Sequence, residues 1–123
     1  MSDVISRLPP QVQERLLRLQ QLQQTLQQIM TSKQQLELEL TEIEQALNEM
    51  EKIDETVIIY KSIGSLMVKA EKAKVTTELN ERKELLNTRV TVLGKQEERM
   101  RSQIKELQNK LQLDLKPVQS STS

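Results

Sequence analysis

The side chains that most often carry out catalysis or bind metal ions are scarce in this sequence. It has no histidine and no cysteine, so the common general bases, thiol nucleophiles and zinc ligands are missing. The segment Ser102–Lys105 has the Ser-x-x-Lys spacing of penicillin-binding enzymes, but no companion motif accompanies it. Glu97 and Glu98 are adjacent and therefore point apart on a helix. We expect no enzyme, no catalytic residue, no cofactor site and no metal site.

The charge balance argues against binding to nucleic acid, and the short apolar runs argue against a membrane span. The chain carries 18 basic and 18 acidic residues, whereas a protein that binds nucleic acid usually has a basic excess. The longest apolar run, Val57–Tyr60, is far shorter than the roughly 20 residues that span a bilayer. The N-terminal sequence lacks the cationic start and apolar stretch of a signal peptide. We therefore expect a cytoplasmic protein.

An apolar heptad repeat follows Pro9-Pro10, which are typical of the start of a helix. Ten of its twelve a and d positions are apolar, which is typical of the seam of a coiled coil. The a positions are Val12, Leu19, Leu26, Lys33, Leu40 and Leu47. The d positions are Arg15, Leu22, Ile29, Leu36, Ile43 and Met50.

A second heptad repeat begins after Ala70, and it is regular at d and weaker at a. Its d positions are Leu79, Leu86, Leu93, Met100 and Leu107, and its a positions are Thr76, Lys83, Val90, Glu97, Ile104 and Leu111. Pairing Leu40 with Leu86 and Leu47 with Leu79 places the midpoint of an antiparallel pair at Ile63.

The predicted fold is therefore mainly α. We expect one domain, a long antiparallel coiled-coil helical hairpin with a single β-hairpin at the connecting end. The approximate bounds are residues 10–54 for the first helix, 56–69 for the β-hairpin and 71–115 for the second helix, followed by a disordered tail over 116–123.

The connecting segment, TVIIYKSIGSLMVKA, differs from everything around it. Its β-branched and apolar runs flank Gly64, which can adopt the positive φ that a tight turn requires. Both strand faces read as apolar, and a lone two-stranded hairpin is marginally stable. We infer that hairpins from several chains combine and remove their free edges. The candidate oligomerisation residues are Val57, Ile58, Ile59, Tyr60, Ile63, Gly64, Leu66, Met67 and Val68.

The sequence resembles the beta class of archaeal-type prefoldin subunits. The resemblance covers nearly the whole chain and is most specific over IYKSIGSLMVKAEKAKVTTELNERKELL, with one β-hairpin where alpha-class subunits have two. It implies a hexamer of two alpha and four beta subunits whose hairpins form β-barrels. It also implies an ATP-independent chaperone that captures unfolded polypeptide at the coiled-coil tips and delivers it to a group II chaperonin.

The two termini form the tips in this arrangement, and apolar residues there are candidates for client binding. They are Val4, Ile5, Leu8, Val12, Leu16, Leu111, Leu113 and Leu115. Packing within the seam is the alternative, and we favour it for Val12 and Leu111. An alternative function for the whole chain is a structural coiled-coil tether or scaffold, which shares the seams but needs neither apolar tips nor an apolar hairpin.

Overall fold

The computed structural model describes residues 6–116 and consists of two long helices with a β-hairpin between them in sequence. Helix α1 spans Pro10–Lys52, strand β1 Ile59–Ile63, strand β2 Leu66–Ala70 and helix α2 Lys72–Asp114. The predicted fold class is confirmed. Helix α1 starts where the sequence pattern places it and ends two residues earlier, because a turn follows it. The β-hairpin begins three residues later and ends one residue later than expected, and α2 is one residue shorter at each end.

Helix α1 begins and ends at recognisable chain signals. The Pro9 carbonyl accepts hydrogen bonds from the amides of Val12 and Gln13, at 3.0 and 3.1 Å. Pro10 takes the first helical position, where its missing amide hydrogen has no consequence. At the other end, the carbonyl of Ile53 has no helical partner and accepts a hydrogen bond from Lys72 Nζ at 2.9 Å.

A turn at Asp54 delays the start of the first strand. The Asp54 carbonyl accepts a hydrogen bond from the Val57 amide at 3.1 Å, and its side-chain Oδ1 accepts one from the Thr56 amide at 3.4 Å. Val57 and Ile58 therefore precede β1, although their residue types favour a strand. Gly64 and Ser65 make the two-residue turn between Ile63 and Leu66, and Gly64 has a φ of 60°.

The strand register gives the hairpin two unlike faces. The strands pair antiparallel, with Ile59 opposite Ala70 and Ile63 opposite Leu66. One face, called here the apolar face, comprises Ile59, Lys61, Ile63, Leu66, Val68 and Ala70. The other, the mixed face, comprises Tyr60, Ser62, Met67 and Lys69. The expectation that both faces are apolar is wrong, because the strand extends past Tyr60 and places two polar residues on the mixed face.

The chain divides into two compact units. The hairpin unit contains residues 32–93, and its buried core residues are Ile43, Met50 and Leu86. The terminal unit contains residues up to 31 and from 94 onward, and its buried core residues are Val12, Ile104 and Leu111. Every a and d position of both heptads is buried or half-buried in its own unit, so the heptad assignment is confirmed.

Two adjacent leucines of α2 provide a test of this seam. Leu86 is completely buried, whereas the side chain of Leu85 is exposed. We expect Leu86→Ala to lower the free energy of unfolding by about 2–5 kcal/mol, because it removes buried methyl groups and leaves a cavity. Leu85→Ala should change it by less than about 0.5 kcal/mol. Denaturant unfolding followed by circular dichroism measures both, and equal losses would contradict the seam assignment.

Candidate functional site: the hairpin and the chain ends

The hairpin presents a dense group of exposed apolar side chains. Leu66 leaves 66% of its surface accessible, and Ile59 and Ala70 are half-buried. The other large apolar side chains of the segment are exposed as well, namely Val57, Ile58, Tyr60, Ile63, Met67 and Val68. Scattered exposed leucines are ordinary on a protein surface, but a contiguous apolar patch marks an interaction site. All of the predicted oligomerisation residues lie in this one segment.

Two lysines form contacts between different elements of the hairpin unit. Lys61 on β1 pairs with Glu78 on α2, with 2.5 Å between Nζ and Oε2. Lys72 begins α2, and besides its hydrogen bond to the Ile53 carbonyl its Nζ lies 3.8 Å from the carboxylate of Glu55. The heptad and strand patterns did not indicate these contacts, since they join residues that are distant in sequence.

The predicted client-binding residues fall into three groups. Val12 and Leu111 are buried, with 6% and 5% of their surfaces exposed, as expected if they pack in the seam. Leu8 and Leu16 are half-buried. Leu113 is 72% exposed, and Leu115 is exposed too. Val4 and Ile5 lie outside the described residues. The accessible apolar groups among those described are thus concentrated beyond the last buried seam position of α2.

Polar contacts hold the terminal unit together around its last seam layer. Arg15, at a d position of α1, forms an ion pair with Asp114, the final residue of α2. The Gln13 side chain donates hydrogen bonds to the carbonyls of Ser6 at 3.1 Å and Leu8 at 2.7 Å. The sequence signal for the first contact was an arginine at a seam position, because a charged group among apolar side chains favours a partner of opposite charge.

A shallow groove adjoins these contacts on α1. It is lined by Pro10, Gln13, Glu14, Leu16, Leu17 and Gln20. Leu17 is more exposed than Leu16 and lies outside the seam, so it adds a further apolar group to this end of the chain. Across residues 6–116, neither helix combines the length and hydropathy needed to cross a bilayer.

Two helices with heptad seams, joined by an exposed apolar β-hairpin, define a class of helical coiled-coil subunits. A sequence profile described as "Prefoldin subunit" matches residues 13–116. The chain belongs to the prefoldin family, whose known role is to capture unfolded polypeptides and deliver them to a chaperonin. It is a subunit of this chaperone, and prefoldin is not an enzyme family.

Individual relatives agree with the family assignment. The chain is 45% identical over 108 residues to a prefoldin subunit beta of Methanothrix thermoacetophila, covering 88% of this chain and 90% of the relative. It is 44% identical over 113 residues to that of Thermococcus gammatolerans, covering 92% and 97%. The crystal structure of the prefoldin beta subunit from Thermococcus strain KS-1 matches with a TM-score of 0.82 and 40% identity, covering 91% and 98%. A beta subunit implies a prefoldin complex that also contains alpha subunits.

The two glycines should respond in opposite ways to replacement by alanine. At Gly64, with its φ of 60°, a side chain strains the turn. Gly64→Ala should therefore make the folded hairpin less stable by about 1 kcal/mol and so lower its population. At Gly94, inside α2, an added Cβ meets no atom within 4 Å. Gly94→Ala should therefore stabilise the helix by up to about 1 kcal/mol. Amide chemical shifts report the first change, and thermal unfolding reports the second. A Gly64→Ala chain with unaltered hairpin shifts would contradict the turn assignment.

Proposed function

We propose that this chain is the beta-class subunit of an ATP-independent holdase, with assembly and client capture assigned to different parts of the chain. The hairpin assembles with hairpins of other prefoldin subunits, in a hexamer of two alpha subunits and four copies of this chain. The chain ends bind unfolded polypeptide, which the complex delivers to a group II chaperonin in the cytoplasm. The observation that carries this proposal is the concentration of exposed apolar side chains in the hairpin and beyond the seam of the terminal unit.

Assembly is favoured by the free energy gained when the exposed side chains and strand edges of the hairpin are buried. Burying each large apolar side chain contributes about 1.5–3 kcal/mol. The hairpin also has two free strand edges, whose unpaired amides and carbonyls favour pairing with another strand. Neither the edges nor the exposed side chains of β1 and β2 are covered by the described residues of the same chain. Hairpins from neighbouring subunits can both bury the apolar side chains and pair with the free strand edges.

The residues proposed to bind clients are Leu113, Leu115 and Leu17. They are exposed, they lie off the seam, and Leu115 follows the last residue of α2. Unfolded polypeptides expose apolar side chains, so weak apolar contacts of this kind suit a broad range of clients. Several such surfaces in one complex add weak contacts into a useful affinity, provided that one client reaches more than one of them. Val4 and Ile5 are proposed to contribute to the same surface.

A structural tether is the alternative function, and it makes a different use of the same chain. A tether needs the heptad seams and can use the hairpin, but it gains nothing from exposed leucines at the chain ends. The two functions are therefore separated by substitutions that leave assembly intact and alter only those leucines.

Assembly is tested by two leucines of nearly equal exposure. Leu66 lies on the apolar face of the hairpin, and Leu38 is 63% exposed on α1, away from it. We expect Leu66→Asp to abolish assembly with an alpha-class subunit, because burying an unpaired carboxylate costs several kcal/mol. Leu38→Asp should assemble normally. Light scattering measures the mass, and circular dichroism checks that both variants keep their helices. Normal assembly of Leu66→Asp would remove the hairpin from the interface.

Client capture is tested in the assembled complex with a second matched pair. The double variant Leu113→Asp and Leu115→Asp should assemble but suppress aggregation of an unfolded protein several-fold less well, because charge replaces the apolar contact surface. The control is Leu85→Asp with Val92→Asp, two exposed apolar residues of α2 within the hairpin unit, and it should protect the client fully. Turbidity during dilution of denatured citrate synthase measures both. Full protection by the Leu113 and Leu115 variant would favour the tether function.

A further inference from the structure

One charged residue occupies the centre of the hairpin's apolar face. Lys61 lies opposite Val68 in the strand register, and its neighbours along the same face of β1 are Ile59 and Ile63. On β2 the diagonal neighbours are Leu66 and Ala70. Lys61 is thus the only polar residue among the six that form this face.

At this position the charge of Lys61 opposes burial of the apolar face during assembly. If neighbouring subunits cover the apolar face, the lysine side chain loses water on several sides. A buried ammonium without a counter-charge is strongly unfavourable, and hydrogen bonds from neutral groups offset only part of the loss. The face can therefore be buried between subunits only where a carboxylate accompanies the lysine.

The same chain supplies that carboxylate. Glu78, on the second turn of α2, lies 2.5 Å from Lys61 Nζ, although 17 residues separate the two in sequence. Both side chains are about half exposed in the single chain, and an ion pair of that kind contributes little to the stability of the subunit itself. The contact has a larger effect where a partner subunit excludes water from around it.

We propose that Glu78 is a positioning residue for assembly, which draws the Lys61 ammonium toward α2 and neutralises it so that the apolar face can be buried against hairpins of neighbouring prefoldin subunits. This inference rests on the proposed function of the hairpin as the assembly surface. It adds that the counter-charge is internal, so that a partner subunit meets a neutral apolar face. It also ties β1 to α2 and thereby fixes the direction in which the hairpin presents that face.

A neighbouring carboxylate provides a matched control. Glu81 follows Glu78 by one turn and lines the same shallow hollow on α2, together with Ala73, Lys74 and Thr77. No ion pair joins Glu81 to another residue in the described part of the chain. Glu78→Gln and Glu81→Gln therefore remove the same charge from the same surface, and only the first removes the partner of Lys61.

The experiment compares Glu78→Gln, Glu81→Gln, Lys61→Met and the double variant Lys61→Met with Glu78→Gln. Each full-length chain is mixed with the alpha-class subunit of the same organism, and sedimentation velocity gives the concentration at which the complex dissociates. Glu78→Gln should raise that concentration about tenfold or more, since one charge of a desolvated pair then remains uncompensated. Glu81→Gln should leave it within about twofold, and the double variant should return it to within about threefold of the wild type.

Recovery in the double variant is the decisive result, because a simple loss of structure at Glu78 cannot be repaired by removing the lysine. Wild-type assembly of Glu78→Gln, or a double variant as weak as Glu78→Gln alone, overturns the inference. Circular dichroism of each chain verifies that the helices are retained. Normal assembly of Leu66→Asp contradicts the hairpin interface itself, so failure of the proposed function is distinguished from failure of this inference.

Discussion

A two-stranded hairpin cannot bury its own side chains, and the rest of this molecule depends on that constraint. Each of its faces needs cover, and each of its strands has one free edge. The apolar side chains that β1 and β2 expose would be an aggregation hazard in a solitary subunit. Under the proposed function these side chains are the surface through which subunits assemble.

The helices must form a packed seam with almost no aromatic side chains. With one aromatic residue in 123, the seam is built almost entirely from aliphatic side chains at a and d. At the end of the seam the charged residue Arg15 forms an ion pair with Asp114. Outside the seam, Arg82 and Glu39 join the two helices of the hairpin unit at 2.7 Å. These surface contacts add specificity of register more than stability.

The sequence predicted the features that follow from local periodicity. The heptad positions were identified residue by residue, because a side chain's place in a coiled coil follows from its place in the repeat. Gly64 was identified as the turn residue because few other residues adopt a positive φ. The start of β1 was placed too early, because the side chain of Asp54 forms a turn that propensity alone does not reveal. The polar residues of the mixed face were missed because β1 extends past Tyr60 and includes Ser62, and β2 extends to Ala70 and includes Lys69.

The contacts of Lys61 and Lys72 could not be predicted. Each depends on how the hairpin leaves the helices, a property of the folded unit that no short pattern encodes. The apolar residues of the connecting segment predicted that hairpins of several chains combine, and the strand register then showed which face is apolar. The sequence did separate the leucines at the end of α2, because Leu111 occupies a seam position and Leu113 and Leu115 do not, and the structure agrees in burying Leu111 and exposing the other two.

Amide hydrogen exchange tests the division of labour within the chain most directly. Exchange is measured by mass spectrometry on the isolated chain, on the complex with an alpha-class subunit, and on that complex loaded with an unfolded client. We expect assembly to protect the amides of β1 and β2 and to leave those following Leu111 unchanged, whereas the client should add protection only at the chain ends. Client-induced protection confined to the hairpin, or assembly without protection there, would contradict this division of labour.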